Sequence, residues 1–204
     1  MNLRHLVLAA LPAALLALMG CGGTTLQIQP EAAKSSTSAG QPAAATGAAA
    51  APTRCDAGPW TGAISPEGRP DNFDAGDAGA VYVWHDGDGW HIRSTDARPV
   101  DHHYTGTIHL DPAAANFANI RTVRDERDDH VSVDGTNTLH YDFHTYASID
   151  GVDFTITCPG GRRDGRERLA YHTDFDGHPI SDRVRIGDRK QSPKSADFAF
   201  VRVV

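Results

Sequence analysis

The chain has few cysteines, few glutamates and no long apolar run. The last two shortages argue against a mostly helical fold and against a membrane-spanning helix. Three of its 204 residues are cysteine, and four of its 26 acidic residues are glutamate, which leaves 22 aspartates. Aspartate favours turns and helix caps over helix interiors, so this composition argues against a mostly helical fold. No apolar run reaches the roughly 20 residues that a membrane-spanning helix needs.

A basic surplus and the common catalytic motifs are also missing. The 19 lysines and arginines are outnumbered by the acidic residues, and the formal net charge is -7. Because a phosphate-binding surface needs the opposite sign, we expect no nucleic-acid partner. The chain contains no Gly-x-Ser-x-Gly, no His-Glu-x-x-His and no phosphate-cradling glycine loop, so nothing in it points to a particular enzyme class.

The first 21 residues have the order of an export signal. Arg4 and His5 form a short polar head, an apolar run covers 6–18, and Leu18-Met19-Gly20-Cys21 ends it. Leu18, Gly20 and Cys21 together resemble the lipobox of a bacterial prolipoprotein. An ordinary cleaved secretory signal and a membrane span are the alternatives, and Pro12 argues against the span because proline interrupts a helix.

The resemblance implies a location in the bacterial cell envelope. Residues 1–21 would be the lipoprotein signal peptide, and the Cys21 thiol would carry the lipid that holds the protein to a membrane. Gly22 is not the aspartate associated with retention at the inner membrane, so the outer membrane is favoured in a host with two membranes. Cys55 and Cys158 then remain as an even pair in an oxidising compartment, and we expect a disulfide between them rather than two separate thiols.

The rest of the chain divides near residue 53. Residues 22–53 are mainly Ala, Gly, Pro, Ser, Thr and Gln, with Leu26 and Ile28 as the only large apolar residues, which predicts a disordered tether. Every Trp, Tyr and Phe lies in residues 54–204, which predicts one domain with its own core.

The domain has the period-two alternation of β-strands, interrupted by Gly, Asp, Asn and Pro. It predicts an all-β fold of about ten short strands, either an antiparallel β-sandwich or a flattened barrel. The clearest unit is a hairpin at 80–95, whose register places His85 opposite Trp90 and Trp84 opposite His91. Only Pro112 to Asn119 has the signals of a helix, and that helix would be barely two turns long.

One face of this hairpin is a candidate ligand-binding surface. Tyr82, Trp84, His91 and Arg93 share the face opposite the predicted core, where exposed aromatic rings could stack on sugar rings or protein side chains. A second packed layer would bury the same residues, and we favour burial for Trp84.

Ten histidines follow the signal, which raises the question of a metal. The candidate ligands for zinc or copper alternate along two predicted strands: His103, His109, His140, Asp142 and His144. His140 and His144 are about 13 Å apart on a regular strand and cannot share one ion. A solvated sheet face is the simpler interpretation of the same alternation. The aspartates near 71–77 and at 86–88 lack the spacing of an EF-hand loop and are interpreted as turn residues.

The sequence therefore favours an exported, lipid-anchored and non-catalytic module that binds a protein or a glycan in the envelope. The alternative is an exported metal-binding protein that uses the His- and Asp-rich sheet face. A hydrolytic enzyme with an unassigned acid/base pair is the third interpretation.

Replacing Cys21 by serine tests the anchor. Serine has no thiol to acylate, so we predict that Cys21→Ser shifts the protein from the membrane to the soluble fraction and removes the acyl mass from its N-terminal peptide. Fractionation and mass spectrometry measure both effects. An unacylated wild-type protein, or a variant that fractionates unchanged, would contradict the prediction.

Overall fold

Alternating apolar and polar residues build an all-β fold, as the sequence predicts. The computed structural model describes residues 52–71, 73, 79–111, 115–124, 128–159 and 167–203, all within one compact unit, Ala48–Val204. The signal peptide, Cys21 and residues 22–51 of the predicted tether lie outside the described residues. In the described part no helix is long and apolar enough to cross a membrane.

Twelve strands are present where about ten were expected. Two short ones, β1 and β10, have no counterpart among the predicted strands. In chain order the strands are β1 (Trp60–Gly62), β2 (Ala80–His85), β3 (Trp90–Thr95), β4 (His102–Asp111), β5 (Asn116–Val123), β6 (His130–Asp134), β7 (Thr138–Thr145), β8 (Ile149–Thr157), β9 (Arg168–Phe175), β10 (His178–Pro179), β11 (Val184–Ile186) and β12 (Asp197–Arg202).

The strands form two sheets rather than a closed barrel. The larger sheet has seven strands in the order β1-β12-β9-β4-β7-β6, with β10 paired to β9. The smaller sheet has five strands in the order β11-β2-β3-β8-β5. All pairings are antiparallel except that of β11 with β2. This is the antiparallel sandwich, the first of the two architectures that the sequence predicts.

The core lies between the inward faces of the two sheets. Val83 and Ile92 from the smaller sheet join Tyr104, Leu139 and Phe143 from the larger one in a single apolar cluster. Each of these residues is at most 1% exposed. Fully burying such a side chain contributes about 1.5–3 kcal/mol, so this layer is the main stabilising element of the sandwich.

The hairpin β2–β3 has the predicted register. His85 is opposite Trp90, Trp84 is opposite His91, and Val83 is opposite Ile92. Val83, Trp90 and Ile92 face the core as expected. The period-two pattern and the Asp-Gly turn were therefore sufficient to assign this hairpin.

The short helix considered for Pro112 to Asn119 is not formed in the described part of that stretch. Residues 116–119 belong to strand β5, where Asn116 is paired with Thr157 and Phe117 with Ile156. The register shifts between Ala118 and Arg121, and Asn119 has a φ of 51° in this irregular stretch. The β-bulge breaks the period-two alternation, and tertiary pairing with β8 decides the conformation instead.

Gly106 on β4 fixes how the central strands of the larger sheet approach each other. A Cβ atom at this position would lie 2.3 Å from the ring of Tyr141, its partner on β7. The missing side chain therefore makes room for the buried Tyr141 ring. This contact lies in the same strand pair that carries the candidate metal ligands.

The predicted disulfide is present between Cys55 and Cys158. The two Cα atoms are 5.5 Å apart, and the residues are separated by 103 positions in the sequence. The backbone N–H of Cys55 also donates to the carbonyl of Ile156, at 2.9 Å. The bridge thus fastens the start of the domain to the end of β8.

Removing this bridge should destabilise the domain strongly. In the chain-entropy model, a loop of this length restricts the unfolded chain enough to be worth on the order of 2–5 kcal/mol. We predict that replacing both Cys55 and Cys158 by alanine lowers the free energy of unfolding in urea by that amount, with Cys21→Ala as the control that leaves it unchanged. An unchanged midpoint in the double variant would contradict the prediction.

Candidate functional site

The outward face of the larger sheet carries the candidate metal ligands. Antiparallel pairing of β4 with β7 places His103 opposite His144, Thr105 opposite Asp142, and Thr107 opposite His140. Tyr104, Ile108 and their β7 partners point into the core, so the polar members of both strands share the outer face. Two strands that are not consecutive in the chain thus contribute to one surface.

His103 and His144 lie close together at one end of this face. Their ring centroids are 3.9 Å apart. Asp101, which directly precedes β4, places a carboxylate oxygen 3.6 Å from Nδ1 of His144. Ligand atoms of Asp101, His103 and His144 all lie within 4.8 Å of one another. These three residues form the only group of this kind in the part of the chain that the structure describes.

Asp142 lies on the other side of the two rings. Its Oδ1 is 3.5 Å from Nδ1 of His103 and 4.0 Å from Nε2 of His144. This oxygen is buried and accepts no hydrogen bond. A buried carboxylate oxygen normally has a partner, so this oxygen lacks a bond that a donor or a cation beside the two imidazoles could supply.

The spacing of these atoms suits an ion better than direct hydrogen bonds. Hydrogen bonds from N–H to oxygen are about 2.7–3.2 Å long, and the separations of 3.5–4.0 Å around the two rings exceed that range. Two ligands at roughly 2.0–2.2 Å from one tetrahedral zinc ion are themselves about 3.3–3.6 Å apart. Small movements of half-exposed side chains would therefore complete the coordination.

His144 is also held through its backbone. Its N–H donates to Oδ1 of Asp129, just before β6, at 2.8 Å. Its side chain is 22% exposed, compared with 44% for His103 and 40% for Asp142. The site therefore opens to solvent, so an ion can enter and keep a water ligand.

Of the five predicted metal ligands, only His103 and His144 belong to the group that could share one ion. Asp142 lies beside both rings without joining that group. His140 instead contacts the hydroxyl of Thr107 through Nδ1, at 3.1 Å, and Nδ1 of His109 lies 3.0 Å from the hydroxyl of Thr138. Asp101 was not among the predicted ligands, because it lies outside the alternating pattern, directly before β4.

His172 on β9 differs from these histidines, because both of its ring nitrogens are at hydrogen-bond distance from aspartates. Its Nδ1 lies 2.7 Å from Asp197 and its Nε2 lies 3.1 Å from Asp174. The hydrogen bond to Asp197 raises the pKa of His172, together with the charge of Asp174 and in spite of partial burial. With both nitrogens occupied, this ring has no lone pair to offer a metal.

The aromatic face of the smaller sheet is covered. Tyr82 is 0% exposed and Trp84 is 3% exposed, and both pack with Ala80 in a second apolar cluster against Phe73. Arg93 is 8% exposed and lies over the Trp84 ring, 5.3 Å from its centroid. Trp84 is thus buried beneath a second layer, and these rings offer no flat exposed surface to a sugar.

Beside this cluster, His91 and Asp153 form a buried charge network. Nδ1 of His91 lies 2.8 Å from Asp153 and Nε2 lies 3.0 Å from Asp86. Asp153 also accepts hydrogen bonds from Arg93 at 2.6 Å and from Arg121 at 2.7 Å. Burial opposes the charge on Asp153, but these donors outweigh it and hold the pKa of Asp153 well below its usual range.

Comparison of the chain with protein-family models, with curated proteins and with solved structures gave no match.

The His91 network predicts a pH-dependent stability. Burial lowers the pKa of His91, but its bonds to Asp153 and Asp86 outweigh this and raise the pKa overall. The stabilisation from charged His91 is therefore complete below the unfolded pKa of about 6.5 and is lost as pH rises through the higher folded pKa. We predict that His91→Gln lowers the free energy of unfolding most at about pH 6 and progressively less at higher pH.

Urea unfolding across a pH series measures this difference. His178→Gln, at an exposed histidine of β10, is the matched control and should show a small and pH-independent effect. A deficit in His91→Gln that stays constant or grows with pH would contradict the charged state of His91.

Proposed function

We propose that this protein is a non-catalytic, metal-binding lipoprotein of the bacterial cell envelope. The observation that carries the proposal is the convergence of Asp101, His103 and His144, with Asp142 beside them, at separations suited to a shared ion. Cys21 supplies the lipid anchor in this proposal, and residues 22–53 supply the spacer between membrane and domain.

The competing interpretation, a module for a protein or glycan ligand, has less support. It depended on Tyr82 and Trp84 being exposed, and both rings are buried. The metal interpretation depended on a neighbouring strand supplying ligands beside β7, and β4 does so with His103. The geometry therefore favours the alternative over the first interpretation of the sequence.

The ligand types point to zinc or copper. Imidazole nitrogen suits both metals, and carboxylate oxygen completes many zinc sites. No cysteine is part of the cluster, so these residues do not form a site selective for soft ions that prefer thiolate ligands. The acidic net charge of -7 adds a favourable long-range field for a divalent cation.

The site is better suited to holding an ion than to catalysis with it. A catalytic zinc site pairs its open position with a substrate-sized, water-excluding cavity. Here the ligands lie on an open sheet surface, where Asp101 is 60% exposed. Reversible capture or transfer of a metal ion is the activity that fits such a surface.

Removing one histidine from the cluster tests the proposal. We predict that the purified protein binds close to one equivalent of zinc or copper, and that His144→Ala weakens binding by more than about 100-fold. Loss of a direct ligand should exceed the roughly 10- to 100-fold cost of losing a partner that only orients a ligand. Calorimetric titration and metal analysis after dialysis give the affinity and the stoichiometry.

His140→Ala is the matched control, because it removes a histidine from the same strand and the same face without touching the cluster. It should bind metal as the wild type does. Sub-stoichiometric metal in the wild-type protein, or equal weakening in His140→Ala and His144→Ala, would show that the sheet face attracts cations only diffusely.

A further inference from the structure

A second candidate site lies far from the metal ligands in the chain, where the tip of hairpin β2–β3 meets the segment before β1. A cavity of about 310 Å³ is lined there by Arg54, Ala57, Glu67, His85 and Asp86, among others. None of these residues takes part in the metal cluster. The cavity therefore needs an explanation of its own.

His85 is the unusual residue of this cavity. It is 4% exposed, and its ring packs against Trp90 with centroids 5.0 Å apart. Neither of its ring nitrogens has a hydrogen-bond partner. Burying polar nitrogens without partners costs free energy, so a lining imidazole of this kind indicates a place where a ligand or an ordered water supplies the missing bonds.

Glu67 supplies a negative charge next to this ring. Its Oε1 accepts a hydrogen bond from the backbone N–H of Trp60 at 2.8 Å. Its Oε2 lies 3.6 Å from Nδ1 of His85, which is too long for a hydrogen bond. Two acceptor atoms, a carboxylate oxygen and an imidazole nitrogen, can thus face the same point in the cavity.

The other charged residues that line the cavity are already engaged. The guanidinium of Arg54 is paired with Asp56 at 2.5 Å and donates to the carbonyl of Gly87 at 3.0 Å. Asp86 is similarly occupied, by Trp84 and His91. Oε2 of Glu67, by contrast, has only the His85 ring beside it, at 3.6 Å, and a hydrogen-bond donor in the cavity would satisfy both atoms.

A metal ion fits this place less well than an organic cation. In the described residues, no third histidine, cysteine or carboxylate ligand atom joins Glu67 and His85 within the reach of one ion. An N–H donor needs only acceptors at about 2.7–3.2 Å, and a single ammonium nitrogen can reach both atoms at once. The apolar part of a small amine could then lie along Ala57 and Gly58.

We propose that this cavity binds a small organic primary ammonium ion, whose N–H groups donate to Oε2 of Glu67 and to Nδ1 of His85. The site is separate from the proposed metal centre and stands or falls independently of it.

Nuclear magnetic resonance of the histidine ring nitrogens tests the proposal on the full-length protein. Methylammonium is titrated at about pH 8, where an ordinary imidazole is neutral, with a chelator present so that the metal centre stays empty. We expect a saturable shift of the His85 ring signals. Tetramethylammonium has the same charge and no N–H donor, so it should produce no such shift.

Two carboxylate variants separate a specific site from general attraction. Glu67→Gln keeps the Oε1 acceptor for Trp60 but removes the charge, and it should weaken methylammonium binding by about tenfold. Asp188→Asn removes an equal charge near Gly68 and should leave binding unchanged. Three results would overturn the proposal: equal weakening in the two variants, an equal response to tetramethylammonium, or no shift at all. The last result would mean that only water occupies the cavity.

Discussion

The antiparallel register between β4 and β7 is the constraint on which the rest of the structure depends. On the inward side it pairs Tyr104 with Phe143 and places the Tyr141 ring against Gly106. On the outward side the same register sets His103 opposite His144. A shift of one residue would turn every side chain of a strand to the opposite face, so core packing and the metal cluster are specified together.

This coupling explains how a surface site can be precise without a deep pocket. The imidazoles are attached to two central strands of the seven-stranded sheet, and the core beneath them fixes the backbone positions. Only Asp101 lies outside the strands, directly before β4. Rigid strands with one adjustable carboxylate are consistent with the proposed reversible binding of an ion.

The sequence was sufficient for much of the fold because its information is local. Period-two alternation and Asp-Gly turns identify the strands, and the turn at 86–89 sets the register of β2–β3. The start of β5 was not recognised as a strand, because the bulge in this strand interrupts the alternation of apolar and polar residues. The disulfide was predicted from the number of cysteines, and its geometry is confirmed.

The site was only partly predictable for the opposite reason, since it depends on non-local pairing. Alternation places Asp142 and His144 on one face, but which strand lies beside them is decided by the sheet order. Trp84 was a candidate for ligand binding for which burial was favoured, and its cover comes from Phe73, in the segment before β2. The cavity at His85 involves residues from three separate segments and has no sequence signal of its own.

Anomalous X-ray diffraction from crystals of the protein grown with zinc would locate an ion bound between the two strands. We predict one strong peak between His103 and His144, at about 2.0–2.2 Å from a nitrogen of each ring and from a carboxylate oxygen of Asp101 or Asp142. A peak at any other group of residues, or no ordered peak on this sheet face, would contradict it.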